Sequence, residues 1–413
     1  MLLPDFKEDP AQDPYPHYAR LREAGPVVQI NSASGLRPYL ITRYEDAKAA
    51  LSDPRFAKNP HHGADLINET GLGEYFLAQE KPSHMLDADP PDHMRLRKAF
   101  ANYFTGRQMN ALAPRLQQIT QELIDGFAPR GTSGTIDFIE AFAGPLPAMV
   151  IAEMLGIPDE DRPLFRRISQ DILRPPDDPA QQDAAAKLIA YVTELIGRKR
   201  QDPDAALIST LLSQQRDGDC LNEAELTAGV GLLIIAGHET TVNLLGNGML
   251  ALLRSPDQMA LLRERPSLIP AAIEEFLRYD GPLERAPFRF TTEDVNLRGT
   301  VIPRGSVVWI ALGSANRDET VYPMADRLDV AREPHPQLAF GHGIHYCLGA
   351  PLARLEGRIA FEGLLDRLTD ITLGIDPAEI TFRFSPFIHG VNSLPISYRA
   401  PGLNRSGVPE PDC

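Results

Sequence analysis

The longest stretch compatible with a single helix runs from Asn222 to Leu253. In its middle Val230, Leu232, Leu233, Ile234 and Ile235 leave no polar face. A helix that is apolar all round belongs in the centre of a large domain. Asn222 with Glu223 and Glu225 supplies the N-terminal signals of that helix. Helical periodicity also predicts segments 14–24, 44–51, 107–127, 137–155, 160–172 and 180–200, a helix opening at Pro270, and another over Ala350–Leu368. Alternation predicts strands at Val27–Ile30 and Pro38–Thr42, joined through Asn31–Gly35, and at Val307–Leu312. The extended run from Leu283 leads into a further pair of strands around a turn near Gly299.

Breaks in the pattern carry information as well. From Phe56 to Leu86 no period holds, which fits a plain surface loop or a functional segment. Leu173–Pro179 holds three prolines and cannot be helix interior; it would form a movable flap if the helices on either side cover a pocket. Residues 384–398 read as a hairpin whose turn, Phe387–Val391, enters such a pocket. The polar segment 404–413 reads as a disordered tail, leaving residues 1–403 as one mainly α domain with a smaller β-rich lobe.

Composition narrows the class. With 43% hydrophobic and 23% charged residues among 413, the chain is ordinary for a globular protein. A net charge of −15 argues against nucleic acid, whose phosphates require a basic face. Three distant cysteines, Cys220, Cys347 and Cys413, make no disulfide framework and fit a reducing compartment. The first residues carry no apolar core of signal-peptide length, and the most apolar run, Gly229 to Gly237, is too short to cross a bilayer. The expectation is a cytoplasmic protein, monomeric and without a membrane anchor.

Candidate chemistry concentrates in two places. The first is Phe340-Gly-His-Gly-Ile-His-Tyr-Cys-Leu-Gly349, a cysteine among glycines just ahead of a helix. The positive end of that helix and accessible backbone N–H groups favour a thiolate at Cys347, and a thiolate is a strong axial ligand for haem iron. A lone cysteine is also commonly a small buried hydrophobe, and His342, His345 and Cys347 have the composition of a zinc site. No Cys-x-x-Cys partner accompanies them, and glycines at 341, 343 and 349 suit close approach of a flat cofactor.

The second place is Ala236-Gly-His-Glu-Thr-Thr241, inside the apolar helix. A buried carboxylate beside two hydroxyls is costly without partners or work. The alternatives are a tolerated glycine with a surface glutamate, or a groove over a planar cofactor. In the second case Gly237 admits the ligand, Thr240 bends the helix, and His238 points away from the Gly237/Thr240 face. Elsewhere, His93 and Arg97 share a helix face but alone read as a solvated stripe. Glu275 and Arg278, three apart, alone read as a surface pair.

Taken together and in order, these motifs resemble those of the cytochrome P-450 monooxygenases over about Asp13 to Tyr398, with Leu328 standing where most relatives carry Phe. The resemblance implies the P-450 fold, with haem b held by Cys347 in a loop that includes Phe340, Gly341 and Gly349. It places Ala236, Gly237 and Thr240 against the haem, and His93, Arg97, Arg289 and His345 on its propionates. It implies that Thr240 donates a hydrogen bond to bound O2 while Glu239 relays protons, and that Glu275, Arg278 and Arg332 form a structural lock. Electrons would come from NAD(P)H through a ferredoxin reductase and a ferredoxin docked on the cysteine side, near Arg95, Lys98, Arg354 and Arg358.

The pocket walls are expected from Leu86, Leu232, Leu233, Ala236, Leu283, Pro287, Ile388 and His389. They are apolar with a few polar groups, as for a bulky lipophile. The overall look is that of enzymes that hydroxylate or epoxidise macrolides and other polyketides in antibiotic biosynthesis. A steroid or terpenoid hydroxylase, a peroxide-driven peroxygenase and a haem sensor are the competing readings.

Overall fold

A computed structural model describes residues 13–31, 37–69, 84–172, 178–216, 221–333, 335–383, 385 and 387–402. The expected turn at Asn31–Gly35, the flap at 173–179 and the tail at 404–413 therefore fall largely or wholly outside the described residues.

The Glu223–Leu253 helix is the axis of the molecule. Asn222 caps it with a reciprocal box: its side chain accepts from the Glu225 N–H, and the Glu225 carboxylate accepts from the Asn222 N–H. By length and composition this helix could span a bilayer, yet 67% of its most apolar window is buried inside the protein, as in a core helix. The helices Pro145–Leu155, Pro179–Gln201, Ile269–Tyr279 and Ala350–Arg367 pack around it. One large apolar core joins all of them.

Beside this body lies a five-stranded sheet in the order Val27–Gln29, Tyr39–Ile41, Val307–Ile310, Arg289–Thr291, Phe56–Ala57. Only the Tyr39–Ile41/Val307–Ile310 pair is parallel. Smaller cores cover its two faces, and Trp309 lies in one of them. A three-stranded antiparallel sheet orders Thr132–Asp137, Pro395–Ala400 and Thr369–Leu373. Val295–Leu297 and Thr300–Ile302 make the predicted strand pair, with Arg298 and Gly299 at φ 53° and 89° in the turn.

Two expectations need correcting. The stretch 137–155 is not one helix: Thr132–Asp137 is a strand, 139–143 winds as a π-helix, and a helix covers only Pro145–Leu155. Asp137 causes the break, because its carboxylate takes the N–H groups of Ile139 and Leu394 and the Ser393 hydroxyl. The period-free segment after Phe56 is ordered at its start, with an edge strand at Phe56–Ala57, a 3-10 turn at Pro60–Gly63 and a short helix at Ala64–Glu69. The Asn59 side chain accepts from the His61 N–H, and Asp89 accepts from the N–H groups of Lys58 and Asn59. Side-chain-to-backbone bonds of this kind leave no period to read.

Candidate active site

The cysteine loop is shaped by two glycines that no other residue replaces easily. Gly341 and Gly343 sit at φ 72° and 74°, in the left-handed region. A Cβ on Gly343 would lie 2.9 Å from the Leu51 carbonyl oxygen, so this glycine also lets the loop dock on the Tyr44–Ser52 helix. The Cys347 N–H returns to the Phe340 carbonyl at 2.9 Å, and Ala350 opens the following helix. Cys347 retains accessible surface, yet burial is the strongest influence on its thiol and pushes its pKa up. The Gly349 and Ala350 N–H groups and the Arg97 and Arg354 guanidiniums act the other way. An accessible sulfur deep in the protein, ringed by N–H groups and cations, is a donor set suited to a metal cation, which deprotonates a coordinating thiol outright. Among the described residues no three His, Cys, Asp or Glu side chains are grouped to hold a metal, so His342, His345 and Cys347 do not make the zinc geometry.

Around the loop, basic side chains gather, with Asp87 and Asp89 the acids that act on them. His93 is buried with neither ring nitrogen hydrogen-bonded, and its ring lies 4.2 Å from that of His345, whose Nε2 also lacks a partner. Arg289 donates to the carbonyls of Phe56 and Leu51, and its Nε has no partner. Burial pushes Arg289 down to about 10. Arg97 donates to the Tyr346 carbonyl at 2.7 Å.

Sequence reasoning missed Lys58. It is buried, bonded to the Phe288 carbonyl at 2.6 Å and pushed down to about 8 by desolvation. Burial, then His93, Arg289, Lys58 and Arg97 in turn, force His345 down to about 2. Buried basic side chains that outnumber the acids near them are expensive, so this ring fits a dianionic group such as the two propionates of a haem.

On the long helix, Ala236 is exposed while Ile234 and His238 are buried, which marks the wall of a pocket. Gly237 does not face that pocket: a Cβ there would meet Ile151 at 3.0 Å, so this glycine lets the helix pack on Pro145–Leu155. The Thr240 hydroxyl donates to the Ala236 carbonyl at 3.0 Å and therefore presents lone pairs, where donation to a ligand was expected. Glu239 is buried, and its Oε2 accepts from Arg383 at 2.8 Å. Burial raises the Glu239 carboxyl, but His238 and Arg383 outweigh it and hold it below its ordinary value.

His238 is not the bystander expected from the helix wheel, because its Nε2 lies 3.3 Å from Glu239 Oε1. Burial pushes Glu356 up to about 8, with Thr241 beside it, so the protonated acid is favoured at neutral pH. Neither Lys58 nor Arg383 carries a motif, and only their approach in space marks them.

Other predicted residues sort clearly. Glu275 takes Arg278 at 2.7 and 2.8 Å and Arg332 at 3.2 Å, and all three are brought together. Leu86, Leu232, Leu283 and Pro287 are half-buried, Leu233 and Ile388 are buried, and Ile388 bridges to Leu283. His389 is no wall residue. It is buried between Asp280, at 3.1 Å, and Glu284, at 3.4 Å, which push it up to about 10 against the opposing effect of burial. The expected basic patch is also largely spent. Arg95 is bidentate on Glu225, Arg354 pairs with Glu274 at 2.5 Å, and Arg358 pairs with Glu362 at 3.2 Å.

Comparison with known proteins places this arrangement. A family model described as "Cytochrome P450" matches residues 22–372. Cytochrome P450 107B1 of Saccharopolyspora erythraea is 46% identical, covering 95% of this chain and 96% of that protein. The vitamin D(3) 25-hydroxylase of Pseudonocardia autotrophica is 44% identical, with 94% of each covered. The 6-deoxyerythronolide B hydroxylase of S. erythraea is 40% identical, covering 95% of this chain and 98% of that protein. The solved structure of the tirandamycin C-bound P450 monooxygenase TamI superposes with a TM-score of 0.88 at 41% identity, covering 97% of this chain and all of that one.

Proposed function

The chain belongs to the cytochrome P450 family as a monooxygenase, and from that premise we propose that it inserts one oxygen atom of O2 into a C–H bond, or across a C=C bond, of a bulky lipophilic product of the macrolide or polyketide type. Haem b held by the Cys347 thiolate supplies the activation of dioxygen and the transfer of its oxygen atom. Cys347, in its glycine turn ringed by cations, is the observation that carries this reading.

Each residue then has a task of its own. His93, Arg97, Arg289, His345 and the unforeseen Lys58 hold the propionates, a role supported by the unpartnered nitrogens of His93, Arg289 and His345 and by the crowding of the five. Glu239, a carboxylate at rest, relays the proton to be delivered, and Thr240, its own hydrogen committed to Ala236, accepts that proton on its oxygen before passing one on. The half-buried and buried apolar side chains Leu86, Leu232, Leu233, Leu283, Pro287 and Ile388 exclude water and orient the substrate. Electrons come from NAD(P)H through a ferredoxin reductase and a ferredoxin, in the cytoplasm.

The substrate class rests on the 6-deoxyerythronolide B hydroxylase and on TamI. A steroid-like substrate is the second reading, supported by the vitamin D(3) 25-hydroxylase. The test has two stages. The dithionite-reduced, CO-bound protein is expected to give the red-shifted Soret band of thiolate-ligated haem; a histidine-type band in fresh protein would overturn the ligand assignment. Titration with macrolactones and with vitamin D3, read as a low-to-high-spin shift and followed by turnover, should then yield a product heavier by one oxygen atom from the class that shifts.

A further inference from the structure

Leu283 and Ile388, a pair in the pocket wall, face each other across an isolated antiparallel bridge. Such a bridge is too short to hold itself: the Glu284 N–H donates to the Phe387 carbonyl and the His389 N–H to the Pro282 carbonyl, each at 2.9 Å. The Ser385 hydroxyl accepts from the Phe387 and Ile388 N–H groups, and Phe387 meets Phe288 edge-on. Side chains alternate along an extended segment, so His389 points to the side opposite Ile388. There its ring, 2% exposed, lies between two acids that flank Leu283 in sequence. Nε2 is 3.1 Å from Asp280 Oδ1, and Nδ1 is 3.4 Å from Glu284 Oε1. An imidazolium donates from both nitrogens, whereas a neutral ring would turn one lone pair on a carboxylate. Burial lowers the His389 pKa, but Asp280 and Glu284 outweigh it and push it up to about 10. The far sides of the acids are occupied as well. From the Tyr15–Ala24 helix, the Tyr15 hydroxyl donates to Asp280 at 2.6 Å and the Tyr18 hydroxyl to Glu284 at 2.9 Å. Arg317 acts on Asp280, and Arg285 lies 3.8 Å from Glu284. Phe382 stacks on the imidazole at 4.7 Å and 10°, and Asn247 of the long helix donates to the His389 carbonyl.

We propose that His389 is a positioning residue for substrate selectivity: clasped as a cation between Asp280 and Glu284, it fixes how far Ile388 and Leu283 reach into the pocket. The inference rests on the reading of those two side chains as the wall of a haem pocket and deepens it. The clasp joins the wall to the body of the protein, because Asp280 ends the Ile269–Tyr279 helix, Tyr15 and Tyr18 belong to the N-terminal helix, and Asn247 belongs to the long helix. Without the cation, two buried carboxylates face one another with nothing between them. Parting segment 280–284 from the turn at 387–389 relieves that repulsion, and the turn carries Ile388 with it. A guanidinium at position 389 keeps a positive charge, donates toward both acids and stacks on Phe382.

The experiment titrates ferric holoenzyme with two nitrogen ligands for the iron: imidazole, which is small, and 4-phenylimidazole, whose phenyl ring must fit against the wall. The Soret red shift gives both dissociation constants. His389→Gln should weaken 4-phenylimidazole by about tenfold and imidazole by about twofold at most. His389→Arg should return the ratio of the two constants toward that of the parent, and Asp280→Asn should move it in the same direction as His389→Gln. A ratio that His389→Gln leaves at the parent value overturns the proposal even if the variant melts at a lower temperature, because a merely structural histidine moves the melting temperature alone. Equal weakening of both ligands overturns it as well. Where His389→Gln gives no thiolate CO band, Asp280→Asn decides, since it leaves the backbone bonds of the bridge in place; an unmoved ratio there overturns the proposal by itself. The CO spectrum also separates the two failures. A parent enzyme without the thiolate band fails the haem reading, whereas an intact band with an unmoved ratio fails only this inference.

Discussion

Single residues divide into those whose neighbours in sequence announce them and those whose neighbours are only spatial. Glu275 belongs to the first kind once its partners are known. Its carboxylate serves Arg278, Arg332 and the Asp329 N–H, and both it and Arg278 are buried. Removing one member strands a buried charge, so Glu275→Ala should cost roughly 3–5 kcal/mol in thermal or denaturant unfolding, while distant surface glutamates cost little.

His389 belongs to the second kind. Its folded pKa of about 10 exceeds the ordinary value of 6.5, so the stability it contributes is complete below pH 6.5 and is lost as pH rises through about 10. The difference in unfolding free energy between the parent and His389→Gln should therefore shrink from neutral pH to pH 10; a constant difference would contradict the assignment. Cys347, Glu239 and Thr240 were legible because a glycine turn, a buried acid and an adjacent hydroxyl are odd companions for an apolar context. Lys58, Arg383 and the role of His238 were not, because their meaning arises from contacts with remote chain.

Elements were legible where a period runs uninterrupted and opaque where a side chain replaces a backbone partner. The Glu223–Leu253 helix was readable from its apolar run and its cap. The strand and π-helix before Pro145 were hidden, because Asp137 substitutes for backbone acceptors and its effect depends on Ser393 and Leu394, some 256 positions away. The hairpin expected over 384–398 is instead closed by residues 381–383 against 390–392, while Pro395–Ala400 pairs with two other strands, and the attachment of this turn to the long helix was not foreseen. Phe382 bridges Val391, Asn247 donates to the carbonyls of Asp280 and His389, and Gly390 lies so close that a Cβ would stand 1.9 Å from Asn243 Oδ1. Gly390→Ala should then displace the hairpin, cost about 1–3 kcal/mol in stability and move Arg383 off Glu239. The coupled signature is lower thermal stability together with more peroxide per NAD(P)H. Lower stability with unchanged coupling would mean that the hairpin and the proton path are independent.

For the whole molecule, charge sets how a redox partner can approach. The net charge is −15, so a small acidic ferredoxin is repelled at long range unless the cysteine face is locally different. The cations expected to make that difference, Arg95, Arg354 and Arg358, are largely neutralised by Glu225, Glu274 and Glu362. What the face does present is apolar. Met94 is 64% exposed, Ile344 49% and Tyr346 36%, and Arg97, on the same helix face as Met94, donates to the Tyr346 carbonyl. A docking surface with a desolvated apolar centre and few free charges draws its affinity from burial more than from steering. Met94→Ser with Ile344→Ser should therefore slow ferredoxin-driven reduction more than Arg95→Glu with Arg358→Glu, and reduction by the parent should change little with ionic strength. Stopped-flow formation of the ferrous CO complex at varied salt measures both. A steep fall with salt, or a larger loss from the charge reversals, would return the docking surface to its arginines.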